Sequence, residues 1–290
     1  MPDGILIIDK APGWTSMDVC AKLRGIYHEK RIGHAGTLDP MATGVLPVFI
    51  GRATRAVEFA ENGEKEYVAA LRPGLVTDTQ DTCGTVLEQH QTHISRRALE
   101  AVLPRFTGQI EQIPPMYSAV KIQGKKLYQL ARKGREVERP ARSITIHALE
   151  LLDGPDEAGD FHLRVRCSKG TYIRTLCHDI GRSLGCGAAM SALRRTMACG
   201  YTLRDAVTIE DAAQCAAPEQ LLRSIDSMFL SHPALTLSDA QEKRVRNGAA
   251  IPAGEAAPGS YRLYGQDGAF LALSRSDGET LTTIKSFFNV

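Results

Sequence analysis

The sequence predicts an α+β protein with a larger domain over residues 1–231 and a smaller one over residues 232–290. Helix and strand patterns are mixed along the larger part, without the regular alternation of a parallel α/β sheet. With 290 residues, 43% hydrophobic and 23% charged, the composition is that of a globular protein, not of a disordered or coiled-coil chain. His232-Pro233 marks the expected seam, and mainly short strand patterns follow it.

The predicted elements begin with a buried strand, Gly4–Asp9, and a helix to about Tyr27 that Thr15-Ser-Met-Asp18 opens as a capping box. Alternation and turn residues predict further strands at Val45–Ile50, Glu66–Arg72, Thr85–Glu88, Ser143–Leu152, Phe161–Ser168, Tyr261–Tyr264, Phe270–Ser274 and Thr282–Ser286. Caps and apolar spacing predict helices at Arg52–Glu61, Ser95 to about Phe106, Leu127–Arg132, Ile173–Leu184, Ala188–Thr196, Pro218–Phe229 and from Ser238.

Total charge and cysteine content give broad expectations. The 35 basic and 33 acidic residues leave a net charge of +2, which by itself argues against a highly basic nucleic-acid-binding protein. Seven cysteines without a Cys-x-x-Cys pair predict reduced, mostly buried thiols. The sequence shows neither a signal-peptide pattern nor a run of about 20 apolar residues, so we expect a cytoplasmic protein that does not cross a membrane.

The stretch Gly33–Gly44 is the most informative part of the chain. Its three glycines permit sharp turns, and Pro40 restricts the backbone of Asp39, which fixes the direction of the carboxylate. A rigid acidic residue beside a strand suits a nucleophile or a general base. Asp followed by Pro is also a common helix start, and this alternative stays open. A phosphate-binding P-loop is excluded because no Gly-Lys-Ser/Thr follows the glycines.

Six stretches carry a family resemblance. They are Asp9–Ser16, Gly33–Gly44, Lys65–Tyr67, Pro115–Lys121, Ser168–Thr175 and Ala192–Arg195. Together they resemble the motifs of the TruB-type tRNA pseudouridine synthases, including the Gly-Thr-Leu-Asp-Pro motif with its essential aspartate. One departure is Ala11, which stands where the family usually has proline directly after the lysine. The resemblance covers residues 4–200 and is weaker in the tail.

The resemblance implies that the protein isomerises the T-loop uridine at tRNA position 55 to pseudouridine, without a cofactor and after base flipping. Asp39 would be the nucleophile, since an ordinary aspartate is ionised at neutral pH. Whether it attacks the base or the sugar carbon stays open. Arg174 would pair with Asp39, and Tyr67 would stack on the base and assist proton removal from C5. A solvent-exposed position for Arg174 and a core position for Tyr67 are the alternatives.

The resemblance also implies substrate-binding residues. His34 would stabilise the distorted T-loop as the nucleotide flips out, Tyr172 and Leu193 would be pocket walls, and Lys10 would support the catalytic loop or a phosphate. For His34, Tyr172 and Leu193 a purely structural role is the alternative. A metal site at His90 and His93 is disfavoured because two histidines without a third ligand are a weak signal.

The distribution of charge points to RNA more clearly than the total does. Residues 121–142 and residues 164–195 carry +6 each, which leaves −10 on the rest of the chain. By resemblance, residues 121–142 form a thumb-like insertion that closes on RNA and residues 232–290 form a small PUA-like RNA-binding module. The expected contacts of the insertion are Lys125, Lys126, Arg132 and Lys133. Binding through them should weaken with salt.

The expected partner is therefore the T-stem-loop of tRNA, bound by a monomer without a protein partner. Three rivals remain at this stage. They are a non-catalytic RNA-binding or RNA-folding protein, a related synthase with another RNA target, and a metal-dependent hydrolase. The presence of Asp39, Tyr67 and Arg174 together argues against the first, and the lack of a credible ligand set argues against the third.

Overall fold

The computed structural model describes residues 2–122 and 124–288. Gln123 of the predicted thumb-like insertion, Asn289 and Val290 of the predicted tail, and Met1 lie outside the described residues. The helices are α1 Ser16–Tyr27, α2 Val57–Glu61, α3 Arg96–Val102, α4 Leu127–Ala131, α5 Ile173–Ser183, α6 Ile209–Gln214 and α7 Asp239–Arg246. Among them, none is both long and apolar enough to cross a membrane.

The strands are β1 Gly4–Lys10, β2 Ile32–His34, β3 Thr43–Ile50, β4 Lys65–Pro73, β5 Leu75–Thr77, β6 Val86–Gln89, β7 Gly108–Gln112, β8 Lys121–Ile122, β9 Lys125–Lys126, β10 Arg142–Asp153, β11 Phe161–Cys167, β12 Ala188–Ala198, β13 Tyr201–Thr202, β14 Ala234–Thr236, β15 Ile251–Pro252, β16 Gly259–Tyr264, β17 Phe270–Ser276 and β18 Thr280–Ser286. Short 3₁₀ turns cover Gly51–Ala56, Leu103–Phe106, Leu203–Asp205, Pro218–Leu221 and Ile225–Phe229.

A nine-stranded sheet organises the larger part of the molecule. Its order is β1-β3-β12-β4-β11-β10-β7, with β2 on β3 and β13 on β12. The β3–β12 pair is parallel and the other pairs are antiparallel, so the sheet is mixed. A separate five-stranded sheet has the order β14-β16-β17-β18-β15. The predicted α+β class, with a mixed sheet and a β-rich C-terminal part, is confirmed.

Apolar residues cover both faces of this sheet at its β1–β3 side. In β1, Leu6 and Ile8 point into the cluster that contains α1 and α5, whereas Ile5 and Ile7 point into a second cluster. A strand that is buried on both faces has a continuous run of apolar residues, as β1 does. The capping box at Thr15 is present as predicted, with its hydroxyl accepting from the Asp18 amide, and it fixes the start of α1.

The predicted helix at Ala188–Thr196 is wrong, because these residues form strand β12 in the middle of the sheet. Alanine, leucine, methionine and arginine favour helices in isolation. Here pairing with both β3 and β4 overrides that preference. The β4 pairing shifts register on either side of Ala192–Arg195, so that Ser191 and Thr196 are the extra residues of two β-bulges.

Two other helix predictions also need correction. Residues 218–229 form two 3₁₀ turns, because Arg223 between them exchanges backbone hydrogen bonds with Ile5 at the edge of the sheet. Residues 52–61 form a 3₁₀ turn that continues as the five-residue helix α2. The elements that were not predicted in the larger part are all short, and they are β2, β5, β7, β8, β9, β13 and α6.

The C-terminal sheet packs on the larger part through aromatic residues. Phe287 and Leu273 belong to the same buried cluster as Phe229 and Phe49. The Phe287 ring stacks on Phe270 with centroids 5.1 Å apart and lies 6.0 Å from that of Phe229. This shared apolar contact adds burial that a segment of about 60 residues lacks on its own.

Candidate active site

The loop that carries Asp39 is tied down by the N-terminal motif. Lys10 is fully buried, and its ammonium donates to the carbonyls of Ala11, Trp14 and Pro40 at 2.9, 2.7 and 3.3 Å. The Ser16 hydroxyl accepts from the Leu38 amide at 2.9 Å and donates to the Leu38 carbonyl at 3.2 Å. Lys10 therefore lies beneath the loop rather than in the open cavity.

No helix follows Asp39. The Ala42 amide donates to the Asp39 carbonyl at 3.0 Å, which closes a turn, and β3 begins at Thr43. The alternative in which Asp39 and Pro40 start a helix is therefore wrong. Gly44 next to this turn has φ +100°, and a Cβ there would lie 2.2 Å from the carbonyl oxygen of Arg195. Only glycine fits this crossing.

A buried arginine holds the Asp39 carboxylate. Arg174, in the first turn of α5, is 6% exposed, so the solvent-exposed alternative is wrong. Its Nε lies 3.0 Å from Asp39 Oδ2, and its Nη2 lies 3.4 Å from Oδ1. Nη2 also donates to the Tyr117 carbonyl at 2.9 Å, and Nη1 to the Thr79 carbonyl at 3.2 Å. The guanidinium is therefore fixed on several sides.

Asp81 is a second carboxylate on the same guanidinium, and the sequence analysis missed it. Its Oδ2 lies 3.3 Å from Arg174 Nη1, and its Oδ1 accepts from the Thr79 hydroxyl at 2.7 Å and the Cys83 amide at 3.0 Å. No motif surrounds it. The only available signal was an acidic residue in a turn-rich stretch, which is usually a solvated loop.

The Asp39 carboxyl has a pKa above its usual range. Burial is the largest cause, and it outweighs the positive charge of Arg174, while Asp81 raises the pKa further and Lys10 lowers it. The Asp39 side chain is still 36% exposed, so the carboxylate is more open to solvent than the arginine that holds it. This is an arrangement for an accessible, oriented acid–base group or nucleophile.

A cavity of about 770 Å³ opens above this pair. Of the residues singled out from the sequence, it brings together His34, Asp39, Tyr67, Arg132, Tyr172, Arg174 and Leu193. Lys125, Lys126 and Lys133 do not line it. They lie on the surface of the neighbouring basic segment, where the Lys126 ammonium and the Arg132 guanidinium approach the Tyr128 ring at 5.7 and 5.4 Å.

Tyr67 and His34 both line the cavity, Tyr67 buried and His34 half-buried. Tyr67 is 8% exposed on β4, and burial raises the pKa of its phenol. Burial and then Arg195 lower the pKa of His34, whose Nδ1 is buried without a hydrogen-bond partner among the described residues. Tyr172 precedes α5, where its amide donates to the Gln112 side chain at 2.8 Å. Ring systems beside one carboxylate suit a planar base, which can stack on them.

The described residues contain no group of three His, Cys, Asp or Glu side chains placed to hold a metal ion. His90 Nε2 lies instead 3.2 Å from Glu88 Oε2. Among the cysteines, Cys20, Cys167 and Cys177 are buried and Cys186, Cys199 and Cys215 are half-buried, whereas Cys83 is exposed beside Met41 at the cavity. The prediction of mostly buried thiols is therefore wrong, because three of the seven cysteines are buried.

This chain is similar to several known proteins in sequence and in fold. Residues 24–173 match the model described as TruB family pseudouridylate synthase (N terminal domain), and residues 174–230 match that of the tRNA pseudouridylate synthase B C-terminal domain. Relatives named tRNA pseudouridine synthase B include one from Azoarcus sp. (strain BH72), 44% identical over 90% of this chain and 87% of the relative, and one from Chromohalobacter salexigens, 45% identical over 93% and 89%. A chain in the crystal structure of a Cbf5-Nop10-Gar1 complex superposes with a TM-score of 0.74 at 27% identity, covering 98% of this chain and 85% of that one.

Proposed function

Because this chain belongs to the TruB family of pseudouridylate synthases, we infer that Asp39, Tyr67 and Arg174 form the catalytic set of its active site. The chain is a tRNA pseudouridine synthase, an isomerase that acts on RNA. We propose that its target is the T-loop uridine at position 55. The observation that carries the assignment of residues is the Asp39–Arg174 ion pair at the floor of a cavity that also contains Tyr67.

The reaction breaks the N1–C1′ bond of uridine and forms a C5–C1′ bond. C5 loses a proton and N1 gains one, so no cofactor or net oxidation is needed. Asp39 attacks as the carboxylate, on the base or on the sugar carbon. Arg174 orients that carboxylate. Tyr67 stacks on the base and assists removal of the proton from C5.

The uridine reaches this carboxylate by flipping out of the folded T-loop. We propose that Tyr172 and Leu193 form walls of the base pocket and that His34 stabilises the distorted RNA loop. Lys10 supports the catalytic loop from below. The three residues His34, Tyr172 and Leu193 lie at the same cavity as Asp39, which supports these roles.

We propose further RNA contacts outside the pocket. The basic segment, residues 121–142, would close on the T-stem-loop through Lys125, Lys126, Arg132 and Lys133. Residues 232–290 would form a second, PUA-like RNA-binding module beside a catalytic domain of residues 1–231. The separate five-stranded sheet of the C-terminal residues supports that division. We also propose that the protein works as a cytoplasmic monomer without a cofactor.

The test is incubation of the protein with unmodified tRNA transcript, followed by mapping of pseudouridine at each nucleotide. We expect product at position 55 with the unchanged protein and no product with Asp39→Asn, whose affinity for tRNA should stay within about threefold. Glu157→Gln, at an exposed carboxylate between β10 and β11, is the matched control and should keep full activity.

The outcomes separate the rivals. Tight tRNA binding without product in the unchanged protein would show a non-catalytic RNA-binding protein. Product at another position would show a synthase with a different target. Full activity of Asp39→Asn would overturn the catalytic assignment.

A further inference from the structure

Arg195 is a fully buried cation at the active site. It is 1% exposed and lies on β12 between Tyr67 of β4 and Gly44 of β3, which are its cross-strand partners. Its Nε donates to the Val45 carbonyl at 2.6 Å, and its Nη2 donates to the Gly36 carbonyl at 2.9 Å. These bonds fix the guanidinium under the catalytic loop, at the floor of the cavity.

Arg195 differs from its neighbours in having no acidic partner. Arg194, the preceding residue, lies 2.7 Å from Asp9, and Arg174 has two carboxylates. Among the described residues no carboxylate lies within 4.0 Å of Arg195. Burying a cation without a counter-charge is unfavourable for folding. A purely structural tie between β12 and the loop does not require that charge.

Tyr67 is the cross-strand partner of Arg195 on β4, and both side chains line the cavity. Burial is the largest influence on the pKa of the Tyr67 phenol and raises it, and the adjacent Arg195 guanidinium is the main influence in the opposite direction. Cys167 on β11 and Asp39 on the loop also face the phenol, and both raise its pKa. Burial raises the pKa of Cys167 to about 11, so that thiol is neutral. Among the described residues, Arg195 and Asp39 are the charged groups that act on the Tyr67 phenol.

We propose that Arg195 is a positioning residue whose buried positive charge keeps the Tyr67 hydroxyl able to exchange a proton with the substrate. The proposal rests on the proposed role of Tyr67 in pseudouridine formation. The Tyr67 oxygen takes the proton that leaves C5 while its own proton passes on toward N1, so the phenol is regenerated. Negative charge that develops on this oxygen lies next to the Arg195 guanidinium, where a fixed cation stabilises it.

A double-mutant cycle on the single-turnover rate tests this role. Arg195→Met removes the charge and should slow product formation by at least about 100-fold in the parent protein, but by less than about threefold in a Tyr67→Phe background. Affinity for tRNA should stay within about threefold. Arg194→Met, which removes the neighbouring charge on the opposite face of β12, is the matched control and should have the same effect in both backgrounds.

A second variant distinguishes loss of the positive charge from loss of the folded structure. Arg195→Lys keeps the charge but removes the paired hydrogen bonds of the guanidinium to the Val45 and Gly36 carbonyls. This variant should recover the rate to within about tenfold of the parent and should have a parent-like pH profile. Folded Arg195→Met should instead gain rate more steeply as the pH rises, because Tyr67 without its cation gives up a proton less readily.

Three results would overturn the proposal. They are an equal loss from Arg195→Met in both backgrounds, an Arg195→Lys variant as slow as Arg195→Met, and an unchanged pH profile in Arg195→Met. Each would assign Arg195 a structural role only. Failure of the unchanged protein to make pseudouridine would instead refute the proposed function, so the two failures are distinguishable.

Discussion

Arg174 orients the Asp39 carboxylate for catalysis and neutralises the buried Asp81 carboxylate. Replacing Arg174 by methionine should separate these two effects. The substitution keeps an apolar chain of similar length and removes the cation between two carboxylates. A hydrogen bond to a charged group contributes about 1.5–3 kcal/mol. Since the Asp39 side chain is 36% exposed, solvent screens its pairing, and we use the low end of that range. About 1.5 kcal/mol corresponds to a loss of roughly tenfold in rate at neutral pH from the Asp39 contact alone.

The pH dependence of the variant gives the sharper prediction. Burial already raises the pKa of Asp39, and Arg174 is the main influence that lowers it. The attacking form is the carboxylate, so activity is present above this pKa and is lost as the pH falls through it. Without Arg174 the pKa rises further, and the acid limb of the rate profile moves to higher pH. The variant should therefore lose most activity at low pH and recover part of it as the pH rises.

The stability of the variant depends on the other carboxylate. The Asp81 side chain is 7% exposed and would be left without its cation, and breaking such a buried pair costs about 3–5 kcal/mol of unfolding free energy. Urea unfolding measures that loss, and single-turnover kinetics on tRNA from pH 5 to pH 9 measure the acid limb. Arg97→Met, at an exposed arginine on α3, is the matched control for both. An acid limb that stays in place or moves to lower pH would refute the electrostatic reasoning.

Three further predictions concern the loop, the basic segment and the seam with the C-terminal sheet. Gly44→Ala should lower the unfolding free energy by more than Gly13→Ala, since both glycines have positive φ but only the Cβ at Gly44 collides with backbone; equal urea midpoints would contradict this. Phe287→Ala should cost about 3–5 kcal/mol because the ring is 1% exposed and stacked on Phe270, and a loss below about 1 kcal/mol in calorimetry or urea unfolding would count against this packing. Glutamine at four cations of the basic segment should raise the Kd for tRNA and flatten its salt dependence by up to about 3 in the log–log slope, and an unchanged slope in a filter-binding series would remove the segment from the RNA interface. These cations are Lys125, Lys126, Arg132 and Lys133.

The sequence was most informative where local chemistry decides the structure. The capping box at Thr15 predicted the start of α1, and the Gly/Pro pattern around Asp39 predicted a rigid loop beside a strand. Prediction from the sequence failed where contacts with residues distant in the chain decide the structure. The segment Ala188–Ala198 has helix-favouring residues and becomes a strand only because β3 and β4 lie on either side of it.

The same limit applies to the active site. Asp81 reaches Arg174 only because the turn around residues 78–84 folds against the start of α5, and no local pattern announces that contact. Arg195 belongs to the Ala192–Arg195 motif, and the motif by itself indicates no separate role for this residue. Had β12 been recognised as a strand, alternation would have indicated that Arg194 and Arg195 point to opposite faces, with one of them inside.

The two bulges in β12 restrict how the length of this strand can change among related sequences. Between Ser191 and Thr196 the residues Ala192–Arg195 pair without interruption against Ala70–Tyr67. Because side chains alternate along a strand, one residue deleted from this segment before Arg194 would place Arg195 where Arg194 now lies. The buried cation would then face Asp9 instead of Tyr67. In related sequences, insertions and deletions should therefore accumulate at or beyond the bulges. This restriction on length should hold even at positions where substitutions are tolerated.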